Sequence, residues 1–171
     1  NTNLILSIIK LIEDKMNLEH DIQEAGVQMI LLVEDSIRFY SSILPNLYNY
    51  ILEQSKNFSQ EALNRHAATM RMRGRPKVVL ARTYEEAQKL YDKYSDNTLG
   101  VISDARFPLK SAAKAFGNEV MPEEKPKHRT DTFGREKCPD AGLQLFRYIR
   151  KNDPFVPLII ESSESENRAK A

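Results

Sequence analysis

The stretch LGVISDARFP, residues 99–108, carries an apolar run straight into an aspartate and then into Phe107-Pro108. A short apolar run bounded in this way fits a strand buried on both faces, as in a parallel sheet. An acid at its end is either a solvated loop residue or a placed charge. The other apolar runs decide between the two.

Three of them have the same character. VQMILLV (27–33) ends in Glu34-Asp35-Ser36, KVVLA (77–81) ends before Arg82, and VPLIIES (156–162) ends at Ser162-Ser163. Helical spacing fills the intervals. Ile37, Tyr40, Ile43, Leu44, Leu47, Tyr48 and Ile51 recur at helical period, with Ser36 placed to cap and Pro45 placed to kink or split the helix. Residues 59–73 form a second helical piece closed by Gly74 and Pro76. TYEEAQKLYDKY (83–94) has Thr83 as cap and Glu86 in the capping-box position. AGLQLFRYIRKN (141–152) sets Leu143, Phe146 and Ile149 on one side. Ahead of all this, LILSIIKLIEDKM (4–16) aligns Ile5, Ile8, Ile9, Ile12 and Met16 on one helical face, and HDIQEAG then breaks the pattern.

Strands alternating with helices predict an α/β fold of three layers, doubly wound around a mainly parallel sheet. The expected strand order is 2-1-3-4. The expected division is an N-terminal amphipathic helix and linker over 1–22, then one domain over 23–171 with a mobile, charge-rich insertion at 110–139. The isoleucine stripe is expected to pack on the sheet or on a second copy.

The totals narrow the function. The chain has 171 residues, which suits one domain. Lys and Arg number 25 against 24 Asp and Glu, a formal charge of +1. So even a balance makes no general case for nucleic acid or a membrane surface. No apolar run approaches the ~20 residues of a membrane helix, and no signal peptide is visible. The single cysteine, Cys138, excludes an internal disulfide and fits a reducing, cytoplasmic setting. His20, His66 and His128 lie far apart and form no zinc motif with Cys138. The first residue is Asn, and the chain stops soon after a strong apolar run, so a piece of a longer protein is expected.

In open parallel sheets the functional crevice lies at the carboxyl ends of the strands. With β-strands one and three adjacent, Glu34, Asp35 and Asp104 converge there. Three close carboxylates repel one another, and a hard cation such as Mg²⁺ relieves that cost through one or two of them. A remaining carboxylate beside the metal is placed to attack a phosphoryl group.

These residues resemble the receiver domain of two-component response regulators. MILLVEDS is similar to the first strand of that family, with Glu34 and Asp35 as the acidic pair that binds metal. GVISDARFP is similar to the third strand, with Phe107-Pro108 in the Asp-x-x-(Met)-Pro pattern. The resemblance implies Asp104 as phospho-acceptor and as a metal ligand beside Glu34 and Asp35, the backbone carbonyl of Arg106 as a further metal contact, and Ser162 as the switch residue. It implies Mg²⁺ as cofactor and a histidine kinase or small phosphodonor as partner. The chain departs from the pattern in three respects. The segment between strands one and two is long. Asp104 and Gly142 stand 38 residues apart. The fifth strand and the lysine that ends it are missing.

A second resemblance covers NTNLILSIIKLIEDKMN, ILLVEDSIRFYSSILP and RMRGRPKVVLARTYEEA. These look like the region preceding the dikinase domain in phosphoenolpyruvate synthase or pyruvate phosphate dikinase fusions, whose catalytic parts lie outside these residues. The expected function is a signalling module within a larger chain, not an enzyme, with other domains of that chain or a second copy as partners. The alternative is a pseudo-receiver that keeps the fold as an interaction platform without phosphorylation. A nucleotide-binding or phosphatase-like hydrolase is disfavoured, since no Gly-rich phosphate loop stands out. The basic run RMRGRPK (71–77) reads as a solvated turn in preference to a phosphate contact.

Overall fold

The computed structural model describes residues 2–60, 74–110, 130–131 and 134–161. The order is α1 (Thr2–Ala25), β1 (Met29–Val33), α2 (Ile37–Gln60), β2 (Lys77–Ala81), α3 (Tyr84–Tyr94), β3 (Thr98–Asp104), β4 (Phe107–Pro108), β5 (Lys137–Cys138), α4 (Ala141–Asn152) and β6 (Leu158–Glu161). The main sheet has the order β2-β1-β3-β6, with every pair parallel. β4 and β5 form a separate antiparallel pair.

Alternate residues of β1 serve the two faces of the sheet, as strand geometry requires. Met29, Leu31 and Val33 enter a core with Tyr91 of α3 and Leu145 and Ile149 of α4. Leu32 enters the opposite core with Leu44, Tyr48 and Ile51 of α2. Both faces of β1 are therefore dry, which explains its unbroken apolar run. α3 begins as its sequence implies. Thr83 Oγ1 accepts the Glu86 N–H at 3.2 Å, and Glu86 Oε2 accepts the Arg82 N–H at 2.9 Å. Pro45 sits inside α2 without ending it.

α1 differs from expectation in length and in facing. It runs on through HDIQEA to Ala25 and ends at Gly26, whose φ of +60° suits glycine at a helix C-terminus. Its isoleucines do not pack on the sheet. Ile5, Ile8, Ile9, Ile12 and Met16 are all exposed, Met16 at 78 %. The buried face is Ser7, Asp14 and Leu18. Through it α1 lies against β2 and α2, at the sheet edge opposite β6. It therefore does not fill the place beside β6. Ile159 of β6 is 55 % exposed on the face that carries α2.

A buried ionic cluster holds α1 in place. Asp14 accepts from Arg75 Nη2 at 2.6 Å, Arg75 Nη1 at 3.1 Å, Tyr48 Oη at 2.9 Å and the Val78 N–H at 3.0 Å. Lys77 pairs with Asp21 at 2.7 Å. Lys77 N–H bonds inward to Gln28 of the loop before β1, so the next N–H, that of Val78, points outward. Asp14 thus closes an edge-strand donor that would otherwise invite pairing. Burial, then the adjacent Asp14 carboxylate, hold the Tyr48 phenol well above its ordinary range. The end of RMRGRPK is therefore not a solvated turn. Arg75 and Lys77 are both buried in this cluster.

In α4 the fully buried residues are Ala141, Gly142, Leu145 and Ile149. Leu143 and Phe146 lie half-buried to one side, over Leu158 and Ile160 of β6. The expected stripe was therefore rotated by part of a turn, because α4 packs on β1 and β3 at its centre. The helical piece at 61–73, most of the 110–139 insertion and Ser162 lie outside the described residues.

Candidate functional site

Register brings the acids together. Val33 pairs with Ser103 across the β1–β3 ladder, so Glu34 and Asp35 leave β1 level with Asp104 at the end of β3. Carboxylate oxygens of Glu34, Asp35 and Asp104 all lie within 4.8 Å of one another. Glu34 and Asp35 are buried and Asp104 is half-buried.

Each carboxylate is fixed by backbone. Glu34 Oε1 accepts the Ser36 N–H at 2.9 Å, and Glu34's own N–H bonds to the Ala81 carbonyl at 3.0 Å. Asp104 Oδ1 accepts the Ala105 N–H at 2.7 Å, and the Arg106 N–H also bonds to this carboxylate. Gly142 presses against the same turn. Its N–H donates to the Ala105 carbonyl at 3.1 Å, and a Cβ added there would stand 2.4 Å from the Asp104 carbonyl oxygen. Only glycine lets α4 start so close to the acid.

A cation reaches into the cluster. Lys137 Nζ lies 2.9 Å from Asp35 Oδ1 and 2.8 Å from Oδ2. The first contact is a directed hydrogen bond. The second is an ion-pair contact without that alignment, so among the described residues the buried Oδ2 has no directed hydrogen bond. Lys137 gets there through its ladder. Phe107 faces Cys138 and Pro108 faces Lys137, so the chain returns beside the acceptor turn.

Burial dominates the electrostatics. It pushes Glu34 up to about 7, with Asp104 and Asp35 adding repulsion and the Ser36 N–H opposing. It pushes Asp104 up to about 6, opposed by the Ala105 N–H and by Lys137. Three desolvated, mutually repelling carboxylates that offer only oxygen donors make a set that fits a small hard cation.

No family model and no curated protein matches the chain. Among solved structures it is similar to a response regulator receiver domain protein from Clostridium thermocellum. The identity is 16 % and the TM-score 0.40, over 84 % of this chain and 71 % of that one. The fold described above rests on strand order and register, not on that likeness. The resemblance to dikinase fusions finds no support in the comparisons.

The structure thus brings Glu34, Asp35 and Asp104 into one cluster and sets Arg106 two residues past Asp104. Ser162 lies outside the described residues. Sequence reasoning missed Lys137, because it looked for a lysine only at the end of a fifth strand. The available signal was weak: a lysine just before Cys138-Pro139-Asp140, where the chain must return to start α4.

Proposed function

We propose that this chain is a receiver-type signalling module that accepts a phosphoryl group on Asp104. The observation that carries the proposal is the convergence of Glu34, Asp35 and Asp104 at the carboxyl ends of adjacent parallel strands. Glu34 and Asp35 would hold Mg²⁺, with the Arg106 carbonyl as a further ligand. When bound, that cation supplies charge neutralisation for an incoming phosphate. Asp104 does the chemistry. A carboxylate oxygen attacks the phosphorus of a phosphohistidine or small phosphodonor. The bond from phosphorus to the donor's nitrogen or oxygen breaks, and its electron pair leaves with the donor. The Ala105 and Arg106 N–H groups fix the attacking carboxylate, and Gly142 lets α4 support that turn. Ser162 follows β6 and would meet the new charge. In this reading the role is regulatory, with a histidine kinase or small phosphodonor upstream and other domains or a second copy downstream. The exposed isoleucine face of α1 offers that second copy a surface.

Thermal melts and amide NMR spectra with and without millimolar Mg²⁺ test the metal part. A rise in melting temperature with shifts at residues 34–36 and 104–106 supports it, and no change at either refutes it. A second reading, a pseudo-receiver without turnover, is favoured by one observation: the Lys137–Asp35 pair already offsets part of the cluster's charge.

A further inference from the structure

We propose that two copies of this chain dock through the isoleucine face of α1, helix against helix across a two-fold axis. This specifies the second copy named in the reading above, and it holds whether or not Asp104 accepts a phosphoryl group.

α1 carries two apolar rows. The inner row, Leu11, Leu18 and Ile22, packs on the domain around Asp14. The outer row is Ile5, Leu6, Ile8, Ile9, Ile12 and Met16, with exposures from 38 % for Ile8 to 78 % for Met16. Among the described residues, the other exposed large apolar side chains are scattered over several elements. Scattered ones are ordinary, whereas a contiguous row is not. Six such side chains on one face present roughly 600 Å² of apolar surface, the top of the range that a monomer keeps. Two copies joined on this face hide roughly twice that area, which reaches the lower bound of a specific interface at about 1,200 Å².

Spacing and charge select the partner. Ile5, Ile9, Ile12 and Met16 follow one another at four, three and four residues, the repeat by which two helices interdigitate. A second copy brings the same seam at the same length. The acids at the rim are already paired within the chain. Glu13 holds Lys10 at 2.7 Å, and Glu19 holds Lys93 of α3 at 3.2 Å. Lys15 stands exposed between them. Such a rim offers little to an acidic lipid surface or to a strongly charged partner. It suits a self-complementary contact, in which each patch must tolerate its own charges.

The position of α1 separates this face from the acidic cluster. Asp14 bonds to Val78 near the start of β2, whereas Ala81 at the end of β2 bonds to Glu34. α1 is therefore anchored at the far end of that strand from the acids. Docking on α1 needs neither metal nor phosphoryl group.

Sedimentation velocity over a dilution series tests the proposal on the 171-residue chain without Mg²⁺ or phosphodonor. A contact of this size should give a dimer with a dissociation constant in the micromolar range. Amide NMR spectra over the same series should shift at residues 5–16. The double variant Ile9→Lys with Ile12→Lys should raise the dissociation constant at least tenfold. Its melting temperature at high dilution should stay unchanged, because both side chains already face solvent. Phe155→Lys, which removes an exposed aromatic ring elsewhere, should leave the dimer as it is. A chain that stays monomeric at several hundred micromolar would overturn the proposal. So would a dimer that survives the double variant, or dilution shifts that miss residues 5–16. A monomeric chain that instead floats with vesicles of phosphatidylcholine and phosphatidylserine would overturn it in favour of a lipid surface.

Discussion

Replacing Asp14 by alanine should strongly destabilise the domain. Asp14 is fully buried and gathers two bonds from Arg75, one from Tyr48 and one from the Val78 backbone. Removing it strands a buried guanidinium and an outward strand N–H at once. Breaking a buried ion pair from one side costs about 3–5 kcal/mol. The stranded donors are part of that cost, so a total of about 4 kcal/mol is expected. In a chain of this size each kcal/mol moves the midpoint by about 2–4 °C, so the melting temperature should drop by roughly 8–16 °C. The double replacement Asp14→Leu with Arg75→Met should recover much of the loss, because an apolar pair carries no desolvation cost. Urea and thermal melts followed by far-ultraviolet circular dichroism measure both variants. A loss below about 1 kcal/mol, the value of an exposed pair, would refute the claim that this cluster clamps α1 to β2.

Stability without metal should fall as pH rises. Glu34 stands at about 7 in the folded chain against an ordinary 4.5, so the folded state binds more protons between these values. That contribution is full below pH 4.5 and is lost as pH rises through 7. The difference of 2.5 units, 7 minus 4.5, sets an upper limit of about 3 kcal/mol. Glu34→Gln should flatten the pH curve and raise stability at pH 8. A curve unchanged by the substitution would contradict the assignment. Gly142→Ala forces a Cβ against the Asp104 carbonyl and should cost about 1–3 kcal/mol. It should also shift the amides of 104–106, and a variant with native stability and an unshifted acceptor turn would show that the close approach is not real.

Much of the fold was legible because the strands of a doubly covered sheet are apolar on both faces. MILLV, KVVLA and LIIE stand out without any partner being known, and KVVLA matches β2 residue for residue. The acids followed from the same logic, since strand ends and strand order alone place Glu34 beside Asp104. α1 was misread for an equally physical reason. Its face against the domain is mixed, with Asp14 held by Arg75 and Tyr48 between Leu11, Leu18 and Ile22, while the stripe of isoleucines points to solvent. Periodicity finds apolar faces and has no means of finding a buried ion pair 61 residues apart in sequence. Lys137 escaped for a related reason. It reaches Asp35 across 102 residues through a two-residue strand too short to leave a pattern.

The central claim is that Asp104 accepts a phosphoryl group. Intact mass spectrometry after incubation with Mg²⁺ and a small acyl phosphate tests it directly, on the unaltered chain and on Asp104→Asn. The expected result is one added phosphoryl group on the unaltered chain, lost with hydroxylamine as an acyl phosphate must be, and none on Asp104→Asn. Equal labelling of the two proteins, or no labelling of either while the metal binds, would contradict it and leave the acidic cluster a pseudo-receiver site.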